Sequence, residues 1–489
     1  MFSVSPGVNI QEIDLTTVIP TVSTAIGALA GVFHWGPVDQ RIMVDSEPDL
    51  VSRFGKPSNF NAETWFTAAS YLAYSNQLIL SRAANTTGSS PSVSASIESG
   101  NATATVANTS ALSVGMFAAS VNNSGVTVGA TIASIVNSTA FTFSSASHAV
   151  ANGTSEILFL SNTAFNAIAN TGEVANLEAQ IVKNEDHFIS KEGTFDTDAQ
   201  FVARFPGSLG NSLRISVCAS PNAFSQSVNL ASYSNASFTV NVNSNTTTFS
   251  LTSTSNTDAG ANATSLKALF SVGDNIEVGN NEIGKQLMKI TAIGNTVVAG
   301  NSSSGNANFT VSFEDPLYLS TSFVYDGANA STRNVTRTWE FSTLVDAAPG
   351  QSTYQRLAGN TSVNADEVHV VVVDDGGKFT GVPGTVLEIY KNLSRASDAK
   401  TEDGTTGFYR AVINDRSQYV WAVNDISGMA SNTALNLSST TASVYNKTFV
   451  LGNDGNVNIT ICNLVKRILD NICHIICSDK SWRRNICNT

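Results

Sequence analysis

Residues 366–424 read DEVHVVVVDDGGKFTGVPGTVLEIYKNLSRASDAKTEDGTTGFYRAVINDRSQYVWAVN, and this stretch decides the fold class. Val368 to Val373 form a β-branched run broken only by His369. Such a run fits a strand buried on both faces rather than one alternating between core and solvent. Asp374, Asp375, Gly376 and Gly377 end it with turn chemistry. Pro383 stands where a helix would take its first turn, and Val386, Leu387, Tyr390 and Leu393 follow at helical spacing. A further short helix is expected over 408–413 and a second strand over 418–423. Strand, helix and strand in that order predict a parallel crossover, and with it an α/β core.

Outside this core the composition changes. Only 13% of the 489 residues are charged, and Ser, Thr, Asn, Ala and Gly dominate long stretches. That usage favours short strands joined by many turns. No Lys or Arg occurs between Arg82 and Lys183, where alternating runs such as ATIASIV and AFTFSS appear. This span reads as an all-β module inserted into a host domain. Residues 219–346 are β-rich in the same way. They also echo the first module: Val114, Gly115, Asn122, Asn123, Ile132, Ile135 and Asn137 recur at a constant offset as Val272, Gly273, Asn280, Asn281, Ile290, Ile293 and Asn295. The echo predicts two copies of one small β unit.

The host domain is legible in pieces. Residues 24–38 read as a core strand ending in the Gly36-Pro37 turn. Ser46 caps a helix over 47–54, with Asp49 three residues on and Gly55 as the stop. A second helix is expected over 61–74 and a strand over 77–82. Pro206-Gly207 and Gly210-Asn211 separate two strands within 201–217. Residues 5–15 (SPGVNIQEIDL) place Val8, Ile10 and Glu12 on one side of a lone strand with no hairpin partner nearby. A strand in that position is a candidate for pairing with another chain.

The formal charge of -12, with no basic stripe, excludes nucleic acid as a partner. No apolar run is long enough to span a membrane, and residues 1–15 lack the pattern of a signal peptide. Candidate chemistry is sparse. GNNEIGKQ at 279–286 approaches a phosphate loop, but Gln286 stands where a metal-binding hydroxyl belongs. Asp374 and Asp375 are the residue types for acid–base or metal work, yet a DDGG run is turn chemistry first. Glu402 and Asp403, next to Gly404, fit a solvated loop better than a cation site. The histidines, at 34, 148, 187, 369 and 474, show no ligand spacing. No catalytic, cofactor-binding or metal-binding set is assigned, and the chain is read as a non-enzyme.

Several segments share a resemblance. VVVDDGGKFTGVPGTVLE, SRASDAKTEDG, FYRAVIN and the YVW strand resemble the sheath protein of contractile phage tails. The PGV-x-x-QE pattern at the N-terminus, WGPV at 35–38 and the RFPG…GN…LRISV segment resemble the same family. The resemblance covers 1–82, 183–217 and 345–454, not the β-rich spans between. It implies a structural subunit that polymerises with itself around an inner tail tube, meets baseplate and tail terminator proteins, and contracts to drive the tube through a bacterial envelope. It places the protein in the virion, assembled in the host cytoplasm. It also implies that Val8, Ile10 and Glu12 link subunits, because the family's N-terminal arm enters a neighbour's sheet. The expected fold is an α/β (α+β) sheath core with inserted all-β domains. The expected division is an extended arm over 1–20, a discontinuous core over 21–85 and 346–456, an inserted β-rich outer domain over 86–182 and a second β-rich domain over 183–345. The alternative, which the β segments alone would support, is a surface adhesin or fibre-like binding protein; a hydrolase using Asp374 is the third reading.

Residues 457–489 change character. They hold Cys462, Cys473, Cys477 and Cys487, four of the chain's 5 cysteines. Cys462, Cys473, His474 and Cys477 do not match a standard zinc spacing. Ile461, Leu464, Val465, Ile468, Leu469 and Ile472 make an apolar helical stripe. The sequence reading here is a shifted reading frame, in place of the C-terminal domain that the resemblance implies.

Overall fold

In the computed structural model the described residues are 26–84, 92–97, 100–109, 112–122, 130–144, 153–160, 181–195, 199–301, 304–359, 365–426, 429, 431–437, 444–449 and 452. Val8, Ile10 and Glu12, His148 and the whole of 457–489 lie outside them. The chain is mixed α/β, mostly strand, in several separate sheets.

The expected buried strand is Glu367–Asp374, buried from Val368 to Asp374. It sits second in a four-stranded antiparallel sheet, between Thr385–Ser394 and Leu213–Cys218, with Tyr445–Thr448 on the far edge. Both faces are covered, which accounts for valines at successive positions. Val368, Val370 and Val372 pack with Leu213, Ile215, Tyr409 and Ile413 on one side. Val371 and Val373 pack with Cys218, Trp339 and Phe341 on the other.

The helix expected at 386–393 is instead the strand Thr385–Ser394, and the parallel crossover is instead an antiparallel hairpin. Two β-bulges account for the misleading spacing. The pairing skips between Val372 and Val373 and again between Val368 and Val370. Each bulge inserts one residue and breaks the two-residue alternation. Leu387, Tyr390 and Leu393 therefore reach the same cluster at three-residue intervals, which imitates a helix face. The helix near 408–413 is present as Tyr409–Arg416. The strand Val420–Ala422 follows it, but pairs antiparallel with Phe201–Ala203 in a sheet of its own.

The N-terminal part of the core follows its local signals. Ser46 caps Glu47–Phe54 by accepting from the Asp49 amide, and Gly55 closes the helix. Ala62–Leu72 is the second helix. Gly27–Gly31 and Arg41–Val44 flank Leu78–Arg82, the first of them parallel to it.

The inserted span forms a six-stranded sheet from Ser92–Ile97 to Gly153–Leu160. Its entry and exit meet at one residue. Val38 bridges Arg82, and its amide donates to the Lys183 carbonyl at 2.9 Å. The nine-stranded sheet lies within 225–338, and its strands enclose the largest apolar cluster. Leu213–Cys218, although inside 183–345, is a strand of the core sheet.

The echo is reproduced bond by bond. The amide of Gly115 donates to Ile132 and that of Ile132 to Met116, at 2.8 and 2.9 Å; Gly273, Ile290 and Asp274 repeat both bonds at 2.8 Å. Met116 N–H donates to Ser113 and Asp274 N–H to Ser271. Gly115 and Gly273 have φ of 86° and 97°, a left-handed turn that glycine adopts without steric cost. Ile132 pairs Phe143 and then skips to Ser134 with Thr142; Ile290 pairs Phe313 and skips to Ala292 with Ser312. The second copy adds the helix Asn256–Lys267 and the strand Val297–Asn301, which touch where Gly260 meets Val298. Asn123 lies outside the described residues.

Candidate functional site

The loop after the central strand is organised by Asp374. Its carboxylate is buried and accepts from Ser212 Oγ at 2.5 Å, from the amides of Phe379 and Thr380 at 3.0 and 2.8 Å, and from Thr380 Oγ1 at 2.9 Å. Oδ1 takes the donor from the neighbouring strand's end and Oδ2 the three from its own loop, so the carboxylate fixes the turn. Asp375 points elsewhere, pairing with Arg214 Nε at 2.8 Å. The two adjacent carboxylates thus diverge into separate networks. Replacing Asp374 with alanine strands these donors and is expected to cost about 2–3 kcal/mol, read as a lower unfolding midpoint. Asp374→Asn, which keeps an acceptor oxygen, should lose less.

Arg214 joins the core sheet to the second β unit. Besides Asp375 it reaches Glu340 at 2.9 Å and Asn446 Oδ1 at 3.0 Å, and Glu340 also takes Lys289 at 3.4 Å. Burial alone would lower the Arg214 guanidinium, but Glu340 and Asp375 outweigh it and hold the group above its ordinary value. The turn at Val272-Gly273 rests on this cluster. Asn446 Nδ2 donates to the Val272 carbonyl at 2.6 Å, and a Cβ on Gly273 would fall 2.2 Å from Glu340.

The other sequence candidates occupy ordinary structural places. Residues 279–286 form the hairpin between Asn275–Asn280 and Gly284–Ile293, with Lys285 paired to Glu277 at 2.8 Å. No helix follows to aim amides at a phosphate. Glu402 and Asp403 sit on an exposed turn closed between Thr401 and Thr405. His34 bonds Ser58, His187 Nδ1 accepts from the Lys183 amide, and His369 lies in the central strand. Among the described residues no three His, Cys, Asp or Glu side chains gather as metal ligands.

What the core offers is edges. Thr385–Ser394 and Tyr445–Thr448 bound the four-stranded sheet, and Gly27–Gly31 and Arg41–Val44 bound the three-stranded one. Sheet edges carry backbone groups that another strand can pair. Comparison with known proteins finds relatives over a short stretch of the chain. The tail sheath protein of Vibrio phage KVP40 is 39% identical over 87 residues, and that of Enterobacteria phage T4 is 39% identical over 83. This chain resembles phage tail sheath proteins. The tail sheath protein of Salmonella phage ViI is 34% identical over 82 residues. These stretches are 17–18% of this chain and 13% of each relative's own length. No protein-family model matches the chain. The sequence signals that succeeded were the strand and loop at 368–384; the Arg214 cluster had none, since its members lie far apart along the chain.

Proposed function

We propose that this chain is a structural subunit of a contractile phage tail sheath, polymerising around the inner tail tube and contracting to drive the tube through the bacterial envelope. The observation that carries this reading is the similarity to tail sheath proteins. The strands that bound the core sheets among the described residues are surfaces on which subunits can join. Its partners on this reading are further copies of itself, the tube, the baseplate and the terminator. It acts in the virion and assembles in the host cytoplasm. The work is mechanical rather than catalytic. Electron microscopy of the purified protein tests the reading: helical tubes are expected, and monomers or trimers at every concentration would favour the adhesin or fibre alternative.

The proposed division keeps 21–85 and 346–456 as a discontinuous core and gives 201–218 to it. It treats 86–182 as an insertion. Because both ends of that insertion meet Val38, a short Gly/Ser linker should close the gap without strain. The linker variant is expected to keep the core's unfolding temperature within a few degrees. A collapse of that transition would show that the insertion helps to hold the core.

A further inference from the structure

The edge strand Thr385–Ser394 is tied to its neighbour by a histidine ring as well as by backbone. At the second bulge the pairing passes from Val370 with Tyr390 to Val368 with Leu393, leaving His369 opposite the inserted residues. Asn392 takes a φ of 50° there, and its N–H is turned out of the regular ladder. That N–H donates to His369 Nδ1 at 3.1 Å. The other ring nitrogen, Nε2, lies 3.0 Å from the Ala347 carbonyl. A carbonyl only accepts and an N–H only donates, so both bonds require a neutral ring with its proton on Nε2. The ring is fully buried and stacked near Trp339.

We propose that His369 is a pH-operated catch on this edge strand: a proton on Nδ1 removes the acceptor for Asn392 and frees the bulge between Tyr390 and Ser394 from the central strand. The opening stays local. Glu388 remains bonded to Ser417 and Gln418, and Ser394 to Asp366. The charged and titratable groups around the ring are Glu367 on its own strand, Lys391 on the paired strand, Asp346 near the Ala347 carbonyl and Cys218 in register on the other side. Burial lowers the imidazole below its ordinary value. The Ala347 carbonyl, Glu367 and Asp346 pull upward, and Lys391 downward. Cys218 is pushed up to about 12 by burial and stays a neutral thiol. The sign follows from the lowered value. The catch holds fully above the ordinary imidazole value of 6.5 and is lost as pH falls below it and through the folded-state value. If the sheath reading holds, addition of a neighbour's strand to this edge becomes pH-dependent; the catch itself does not rest on that reading.

Hydrogen exchange of the full chain at pH 7.5 and below tests this, followed in peptides covering 390–394. After correction for intrinsic exchange, the wild type should open about tenfold more for each pH unit between the ordinary imidazole value of 6.5 and the ring's lowered folded-state value, and level off below it. In His369→Gln an amide oxygen can accept from Asn392 while the NH₂ donates to Ala347, and nothing titrates, so its exchange should be flat. Equal pH dependence in both proteins would overturn the proposal. Should the variant misfold, the ring nitrogens of the wild type decide. Nδ1 protonation sharing the midpoint of strand opening supports the catch, and separate midpoints, or a protonated Nδ1 at pH 7.5, reject it. Tube formation is scored separately, so loss of tubes with an intact catch counts against the sheath reading alone.

Discussion

Replacing Asp274 with alanine is expected to destabilise the second β unit by about 3–5 kcal/mol, because it leaves a buried guanidinium without its counter-ion. Arg337 Nη1 lies 3.1 Å from the Asp274 carboxylate, and each side chain is 2% exposed. Arg337 also donates to the Asn222 carbonyl, so it fastens the strand Asn334–Thr338 to the chain entering the unit. The first unit is an internal control. Met116 occupies the position equivalent to Asp274, and the same turn forms around it with the same backbone bonds. The turn therefore forms without a carboxylate; in the second unit the carboxylate accepts from the Ser271 amide at 3.0 Å and pairs with Arg337. Removing both charges, as Asp274→Met with Arg337→Leu, should recover most of the loss, since a buried ion pair is often no better than apolar side chains of similar volume. Calorimetry of the single and double variants measures the difference. A single variant within about 1 kcal/mol of the wild type would show that water or another group reaches Arg337.

The same pair sets a pH dependence opposite to that of His369. Burial pushes the Asp274 carboxyl up to about 6, even against the attraction of Arg337. A carboxyl raised in the folded state binds its proton more tightly there than in the unfolded chain. Its contribution is therefore largest below the ordinary carboxylate range and is lost as pH rises through about 6. The double variant removes this slope and keeps that of His369.

Local chemistry was readable wherever one residue type decides one conformation. Ser46, Asp49 and Gly55 fixed both ends of a helix, and the valines of 368–373 announced a strand covered on two faces. The reading failed where tertiary pairing rewrites a local pattern. Bulges are set by the partner strand, so the three-residue spacing of Leu387, Tyr390 and Leu393 carried no sign that it belonged to a strand. The repeat was legible because its copies preserve the glycines and isoleucines that set the turn and the bulge. Its additions, the helix Asn256–Lys267 and the strand Val297–Asn301, lie on either side of the matching positions. Asp374 and Asp375 show a further limit. Sequence places them side by side, and only the fold sends one to its own loop and the other to Arg214.

Deletion of residues 1–15 is expected to abolish tube formation while leaving the folded subunit intact. The segment alternates Val8, Ile10 and Glu12 against Asn9, Gln11 and Ile13, a pattern that asks for a sheet edge, and the sequence offers it no hairpin partner nearby. Among the described residues, the clusters of the three- and four-stranded sheets draw their side chains from residue 29 onward. Thermal stability of the shortened chain should therefore match that of the full chain. Assembly behaves differently, because in a polymer a linking strand is lost at every subunit contact at once, and a modest pairwise loss multiplies along the lattice. Tubes should fall below detection rather than shorten in proportion. Single substitutions grade the effect. Val8→Asp and Ile10→Asp place a charge on the face that would meet the neighbour, and each should raise the concentration needed for assembly. Asn9→Asp, on the opposite face, should change it little. Normal tubes from the deletion would refute the linking role of Val8, Ile10 and Glu12 and leave the joining of subunits to the edges of the folded core.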